Sequence, residues 1–394
     1  MKQKLLFFFT VLLVGFSVNA QNYTLSKDVE ISVITIGPGS ELFDKFGHSA
    51  FRVNDPYLGI DIVYNYGKFD FNTPNFYLKF ARGKLLYELG YNRYKPFLNY
   101  YKGQNRWMKE QVLNISHSEK QQLFEFLQNN AKPENKEYLY DFFYDNCATK
   151  MHDVLEEVLG ESLTFIEDEY VEKPYTFREL IHRNLNHNSW GVLGIDTALG
   201  SVIDKNATSY EYMFLPEFIF ENFATASYLT NGKRMSLVSS TNDLFQNEER
   251  KEKSNIWLSP LFILSILSVL ILYITYRDYK NKKRTRILDI ILFSITGIIG
   301  VLLFLLWFAT DHTATAQNYN VLWAFPLNIL IIAQVVKKIP KKWFRRYLKF
   351  LIIAMVLLVF HWVFKVQVFA LTLIPLLIAI TIRYIYLLKF YKIK

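Results

Sequence analysis

The residue with the clearest chemical potential is Cys147, the single cysteine of this 394-residue chain. A lone cysteine cannot form an intrachain disulfide, so it is either a small buried hydrophobic residue or a reactive thiol. Asp145 and Asn146 before it suit a helix N-cap, and Gly160 suits a helix end. Apolar residues then recur on the face of Cys147 at helical spacing, at Met151, Val154, Leu155 and Val158. The pattern predicts Cys147 in the first turn of an amphipathic helix.

That position favours a reactive thiol. Free backbone N–H groups and the helix dipole at a helix start stabilise a thiolate, so we expect a lowered pKa of Cys147. A structural cysteine in the same helix is the alternative that this pattern leaves open.

A thiolate nucleophile needs a general base, and the chain has seven histidines. Six of them fit other patterns: one faces away on the Cys147 helix, one lies in a capping box, two lie in a polar segment and two lie in the apolar half, namely His152, His117, His182, His187, His312 and His361. The remaining candidate is His48, which follows Gly47 and opens a β-like run in FGHSAFRV. Geometry rather than chain order defines a Cys–His pair, so we predict Cys147 with His48.

Short strands and helices must position these two residues. We expect strands over 29–36, 48–53 and 60–66, because β-branched and aromatic residues dominate there. Thr73 and Pro74 predict the start of a helix that ends near Ala81. Ser116 predicts the start of another helix, which runs to Asn130.

Charge divides the chain into two halves. Residues 21–254 have a net charge of −8 and the remainder +17, which together give the formal +9. The excess of basic residues therefore lies in short loops between apolar segments, and it does not indicate nucleic-acid binding. The stretch 79–109 mixes basic and aromatic residues, which suits phospholipid headgroups, with a solvated strand face as the alternative.

The N-terminus predicts export. Residues 1–20 combine two lysines, a short apolar core and small residues at a cleavage site, so we predict a signal peptide, with an uncleaved anchor as the alternative. Residues 21–228 are then one extracytoplasmic domain. A polar segment over 229–255 reads as a linker to the membrane half.

The membrane half contains five apolar segments near the length needed to cross a bilayer, at 256–276, 287–309, 320–336, 348–364 and 367–388. The loops at 277–286 and 337–349 are basic, so we predict that both are cytoplasmic. The loop 310–320 has no Lys or Arg, so we predict that it lies on the outer side of the membrane. Asp311 and His312 would then lie at the outer interface, where they contact headgroups or substrate or are simply solvated.

Four blocks of this sequence resemble a known family: FGHSAFRV, YDNCAT, GIDIVYNYGKFDFNTPNFYLKFARGKL from Gly59, and LGSVIDKNATSYEYMFLPE from Leu199. Together they are similar to the Lnb N-terminal periplasmic domain family over about residues 25–225. The membrane half is similar to that of the Lnb-type lipoprotein N-acyltransferases. The order His then Asn-Cys also resembles the permuted papain-like acyltransferases of the lecithin:retinol type.

The resemblance implies an α+β, permuted papain-like periplasmic domain, followed by an all-α membrane domain of five helices in the inner membrane. It implies a phospholipid acyl donor, a Cys147 thioester and transfer to the free α-amine of a diacylglyceryl lipoprotein, without cofactor or metal. In a papain-like site the strand after the histidine supplies the residue that orients it. Asn65 is the candidate for that role, with a turn-forming asparagine as the alternative.

Further residues are candidates for binding substrate: Asn146, Tyr64, Tyr66, Asp311 and His312. The main alternative function is a membrane-anchored Cys–His peptidase or amidase that acts on cell-envelope peptides, with water as the acceptor. Five spans beside the site disfavour it, since a peptidase needs only one anchor. A receptor with an inactive domain is a further alternative, which the presence of both His48 and Cys147 disfavours.

Overall fold

The computed structural model of the chain describes residues 23–165, 174–230, 232–248 and 255–393. The predicted signal peptide, residues 1–20, lies outside these ranges. The described residues form a mixed α/β domain up to residue 248 and a helical membrane domain from residue 255.

A seven-stranded antiparallel sheet forms the centre of the first domain. The strands of the domain are β1 Glu30–Ile36, β2 His48–Asp55, β3 Ile60–Lys68, β4 Leu86–Arg93, β5 Met108–Leu113, β6 Glu137–Leu139, β7 Leu163–Thr164, β8 Ser227–Thr230, β9 Lys233–Ser236 and β10 Val238–Phe245. The large sheet has the order β10-β5-β1-β2-β3-β4-β6, and β7, β8 and β9 form a second, small sheet. The three strands predicted from the sequence are therefore confirmed as β1, β2 and β3.

The central strands are covered on both faces, which explains why β1 does not alternate between apolar and polar residues. Ile31 and Val33 face the larger core, whereas Ile34 and Ile36 face a second core on the other side of the sheet. The helices of the domain are α1 Phe76–Ala81, α2 Tyr94–Gly103, α3 His117–Asn130, α4 Thr149–Leu159, α5 Phe177–Arg183, α6 Trp190–Ala198 and α7 Pro216–Thr225. Residues of α3, α4 and α7 build the larger core and residues of α2 the second one.

Two predicted helix starts have different outcomes. Ser116 forms the predicted capping box with Glu119, so the start of α3 is confirmed. The helix expected from Thr73 begins later, at Phe76, because Asn75 before it adopts a left-handed conformation with φ 57°.

The prediction of a linker over 229–255 is wrong for most of its length. β8, Ser227–Thr230, pairs antiparallel with β9, Lys233–Ser236, and β10 pairs with β5 at the edge of the large sheet. The polar composition concealed these strands, because an edge strand is held by backbone hydrogen bonds and its side chains here are largely exposed. Residues 249–254 lie outside the described ranges.

The membrane domain contains the helices α8 Pro260–Lys280, α9 Arg286–Phe308, α10 Asn328–Val335, α11 Phe344–Val363 and α12 Ile374–Ile393. Among the described residues, four helical segments are long and apolar enough to cross a bilayer: Pro260–Lys280, Arg286–Phe308, Phe344–Val363 and Leu371–Tyr391. The described residues thus contain four continuous spanning helices rather than the five predicted. The α-helical part of the third predicted span, 320–336, is the eight-residue α10, about 12 Å long against the ~30 Å of a bilayer core.

Pro326 and two glycines explain the interruption of that segment. Proline has no N–H to donate and disfavours helical backbone in the residue before it. The interrupted backbone lies directly against α9, where a side-chain carbon on Gly300 would come 2.0 Å from the Ala324 carbonyl oxygen. One on Gly297 would come 2.5 Å from the backbone nitrogen of Ile329. Close backbone packing here replaces a regular helix.

The segment nevertheless runs the length of α9. At one end Arg284, just before α9, donates to the carbonyl oxygen of Val335 at 2.7 Å. At the other end the Tyr319 ring contacts Trp307, near the end of α9. The charge-based topology stays a prediction, and this antiparallel course is compatible with it.

The first domain is fastened to the outer loop of the membrane domain, residues 310–320. Asn318 donates to the carbonyl oxygens of Thr197 and Ala198 at 2.8 and 2.9 Å. Gly200 approaches the loop so closely that a side-chain carbon there would lie 1.8 Å from the Ala316 carbonyl oxygen. Behind this contact the buried Arg178 binds two aspartates, Asp196 and Asp204.

Candidate active site

Cys147 lies in a turn two residues before α4, slightly earlier than predicted. Asn146 shapes this turn: its side-chain oxygen accepts the N–H groups of Ala148 and Thr149 at 2.6 and 3.0 Å. Its Nδ2 donates to the carbonyl oxygens of Phe142 and Phe214 at 2.6 and 2.8 Å. The expectation that Asn146 binds substrate stays a prediction, and the buried amide already uses its donors and its acceptor inside the protein.

His48 and Asn65 lie next to each other on neighbouring strands. His48 is the first residue of β2, and His48 Nε2 lies 2.5 Å from Asn65 Oδ1. Gly47 permits this placement with φ +83°, where a side-chain carbon would come 2.7 Å from the Ile36 carbonyl oxygen. An amide oxygen only accepts, so Nε2 carries the proton and Nδ1 keeps its lone pair.

The Cys147 thiol faces the same two strands. The backbone N–H of Ser49, the residue after His48, is directed at the sulfur. A side-chain carbon on Gly67, two residues after Asn65, would lie 3.5 Å from Cys147 Cβ. The turn before α4 thus brings the thiol to the start of β2 and to the part of β3 that holds Asn65.

Burial raises the pKa of the Cys147 thiol from 9.0 to about 11, against the sequence-based expectation. Desolvation of the thiolate is the largest cause, and the N–H groups of Ser49 and Cys147 and the Arg106 cation oppose it only in part. The expected lowering fails because desolvation of the buried sulfur outweighs the N–H groups at this helix start, among them that of Ala148.

The pKa of His48 is lowered from 6.5 to about 4. Burial is the main cause, the hydrogen bond that His48 donates to Asn65 opposes it, and the charge of Arg106 adds to the lowering. At neutral pH the resting site therefore consists of a neutral thiol and a neutral imidazole, not of an ion pair.

Two tyrosines complete the site, and the sequence analysis did not select them. The imagined carbon on Gly67 would lie 3.7 Å from the Tyr140 ring and 4.0 Å from the Tyr138 hydroxyl oxygen, next to Cys147. That hydroxyl is buried and has no hydrogen-bond partner among the described residues. Burial raises the pKa of Tyr138, so the group keeps its proton. The alternation Tyr138-Leu139-Tyr140, a few residues before Asn146 and Cys147, was the sequence pattern from which these two tyrosines could have been predicted.

The turn that carries Cys147 rests on the outer loop of the membrane domain. Thr313 donates to Asp141 Oδ2 at 2.7 Å, and Asp141 pairs with Asp145 through two backbone hydrogen bonds of 3.0 and 3.1 Å. A direct structural connection therefore joins the outer membrane loop to the thiol turn.

Two family comparisons match this architecture. Residues 17–183 match the Lnb N-terminal periplasmic domain, and residues 251–394 match the Lnb transmembrane domain. The chain belongs to the Lnb family. It is a multi-pass inner-membrane protein whose N-terminal domain is periplasmic. No curated protein and no solved structure matches the chain significantly.

Four other residues predicted to bind substrate make contacts inside this Lnb-family chain. Tyr64 and Tyr66 are buried in the larger core, and Tyr66 donates to Asn130, so their role in binding substrate stays a prediction. Asp311 forms an exposed ion pair with Lys84 at 3.5 Å, and His312 Nε2 donates to the Phe80 carbonyl oxygen at 2.9 Å. These two residues join the periplasmic domain to the outer loop.

His152, which was predicted to face away from Cys147, is buried in a polar cluster with Asp153 and Glu156. One nitrogen or oxygen atom from each of these three side chains lies within 4.8 Å of the other two. The Tyr210 hydroxyl bonds to His152 Nδ1 at 2.8 Å and to both carboxylate oxygens of Glu156. These contacts describe an internal hydrogen-bond network that connects α4 to the segment before α7.

Proposed function

We propose that this protein is a cysteine acyltransferase that moves an acyl chain from a phospholipid, through a Cys147 thioester, to the N-terminal amine of a diacylglyceryl lipoprotein. Cys147, His48 and Asn65 are its nucleophile, base and orienting residue. The substrates come from the family resemblance, and the residues of the site supply the chemistry.

The observation that carries the proposal is the hydrogen bond between Thr313 and Asp141. It binds the turn that contains Cys147 to the outer loop of the membrane domain. A site that acts on soluble peptides needs no such support. A site that acts on lipid esters must lie at the membrane surface, and this contact supports that placement.

The first half-reaction begins with two neutral groups. His48 Nδ1 takes the thiol proton as the Cys147 sulfur attacks the ester carbonyl carbon of the phospholipid. The tetrahedral intermediate collapses, the ester C–O bond breaks, and His48 returns the proton to the departing lysophospholipid oxygen. The acyl group remains on Cys147 as a thioester.

The second half-reaction reverses these roles with a different partner. The free α-amine of the lipoprotein attacks the thioester carbonyl, and His48 accepts a proton from the nitrogen. The C–S bond breaks, the sulfur recovers a proton from His48, and the acyl group leaves as an amide. No oxidant, reductant or cofactor enters the balance.

The developing negative oxygen needs hydrogen-bond donors. The backbone N–H of Cys147, which lies beside its own sulfur, is one donor, and the Tyr138 hydroxyl, buried without a partner next to Gly67, is the second. A donor that has no partner at rest loses no hydrogen bond when the oxyanion forms, so its full interaction favours the transition state.

Intact-protein mass spectrometry tests the proposal. Incubation with phospholipid and no acceptor should add the mass of one fatty acyl chain, and neutral hydroxylamine should remove it. Cys147→Ala should abolish the adduct, whereas Tyr57→Ala, an exposed residue of the β2–β3 turn, should leave it unchanged. A lipopeptide with a free α-amine should discharge the adduct into an amide.

Two outcomes would contradict the proposal. Full acyl transfer by the Cys147→Ala protein would show that Cys147 is not the nucleophile. Cleavage of cell-envelope peptides without any acyl adduct would favour the peptidase alternative.

A further inference from the structure

An exposed apolar surface surrounds α1 on the side of the periplasmic domain that meets the outer loop. It consists of Phe71, Tyr77, Leu78 and Phe80, which are 66, 80, 58 and 52% exposed, and we call it the aromatic patch. No residue of α1 is buried. Soluble surfaces rarely carry so many adjacent apolar side chains without a binding partner.

The position of the patch identifies that partner. The Arg82 carbonyl oxygen, directly after α1, accepts the N–H of Asp311 at 2.9 Å, and the Phe80 carbonyl oxygen accepts from His312. Asp311 follows the end of the spanning helix α9 at Phe308 by only three residues. The patch therefore lies at the outer membrane–water boundary, where aromatic residues concentrate in membrane proteins.

Basic residues accompany the patch, as expected at a headgroup layer. Lys79 lies in the last turn of α1, Arg82 is exposed next to it, and Lys84 pairs with Asp311 at 3.5 Å. Such cations attract anionic headgroups, while the apolar side chains enter the acyl region.

A series of ring contacts leads from the patch to the nucleophile. Phe71 contacts Phe69 at 5.0 Å between ring centroids, Phe69 contacts Tyr87 at 5.3 Å, and Tyr87 stacks on Tyr140 at 4.3 Å. Tyr140 borders the space beside Gly67 and Cys147. These rings, which we call the apolar track, run from the patch to a residue that lies beside the thiol.

We propose that the aromatic patch inserts into the outer leaflet of the membrane and that the ring series guides a phospholipid acyl chain from the leaflet to Cys147. The insertion is independent of the proposed reaction, whereas the guidance of the acyl chain rests on it. The patch thus makes the periplasmic domain itself a membrane-binding surface, in addition to its attachment through the spanning helices.

Fluorescence quenching in nanodiscs tests the insertion with the full chain. A Cys147→Ser, Leu78→Cys protein carries one bimane label on the patch, and a Cys147→Ser, Tyr57→Cys protein carries it on a distant turn that is 84% exposed. In phosphatidylcholine–phosphatidylglycerol nanodiscs, doxyl-labelled phosphatidylcholine should quench the label at position 78 and aqueous iodide should not. The label at position 57 should behave in the opposite way.

Iodide quenching at position 78 equal to that at position 57 would overturn the insertion. Shielding of position 78 that persists in detergent and coincides with crosslinks between two chains would show that a second copy covers the patch, and would also overturn it. Shielding by lipid without any acyl adduct on the parent protein would refute the proposed function and leave the insertion standing.

The kinetic test separates membrane access from chemistry. Tyr77→Asp combined with Leu78→Asp should raise the apparent KM for bilayer phospholipid about tenfold or more, the scale set by one buried leucine side chain. The rate with a short-chain phospholipid in monomeric solution should stay unchanged. Equal losses with both substrates would overturn the proposed track, since the substitutions would then act on folding or on the chemistry.

Discussion

The raised pKa of the Cys147 thiol leads to a prediction that opposes the usual behaviour of catalytic cysteines. At pH 8 a thiol with a pKa of about 11 is a thiolate in about one molecule in 1000, against about one in 10 for a pKa of 9.0. Alkylation by iodoacetamide, which requires the thiolate, should therefore be about 100-fold slower at Cys147 than at an exposed cysteine.

The assay measures the alkylation rate against pH in detergent, on the parent protein and on Cys147→Ser, Tyr57→Cys as the exposed control. The control should level off above pH 9, whereas the rate at Cys147 should still rise at pH 10. A plateau for Cys147 at or below pH 9 would refute the argument that desolvation dominates the site.

The neutral His48 provides the second half of this test. A lowered pKa means that the neutral base persists as the pH falls and becomes protonated only near pH 4. The acid limb of kcat/KM for acylation should therefore lie near pH 4 to 5. An acid limb near pH 6.5 would show that His48 is solvated in the working enzyme.

Four shorter predictions follow from the same contacts. Asn65→Ala should lower kcat by about 10-fold or more, because the imidazole loses its orienting acceptor, and Asn65→Asp should move the acid limb upward, because a carboxylate stabilises the imidazolium. Tyr138→Phe should lower kcat by about 100-fold with little change in KM or melting temperature, since the hydroxyl has no partner at rest. His152→Ala should lower the melting temperature by about 2–5 °C and leave the acylation rate unchanged, because its contacts are structural. In a Cys147→Ser background, an impermeant maleimide applied to intact cells should label Gln317→Cys and not Lys282→Cys, and the reverse pattern would invert the topology; the buried Asn318 is unsuitable for this label.

The sequence alone was sufficient for features that depend on neighbours in the chain. The capping box of Ser116 and the start of β2 at His48 each require only a few consecutive residues. The choice of His48 as the base stays a prediction, and it rested on the recognisable local patterns of the other histidines. Hydrophobic length likewise indicated four of the spanning segments.

Backbone interactions between distant segments decided what the sequence analysis missed. β10 is a strand only because β5 offers it a free edge, so its polar composition suggested a linker. The helix of the third apolar segment is interrupted because Gly297 and Gly300 of α9 let the backbone of that segment approach closely. The hydrophobicity of the segment gives no information about this contact.

The chemistry of the site depended most on tertiary structure. The sequence next to Cys147 provides only local N–H groups and a helix dipole, which lower a thiol pKa. The fold packs the same residue against Gly67 of β3 and against Tyr138 and Tyr140, and the resulting desolvation outweighs the local groups. The free energy of a charge depends on everything within several ångströms, and most of those atoms come from residues far away in the chain.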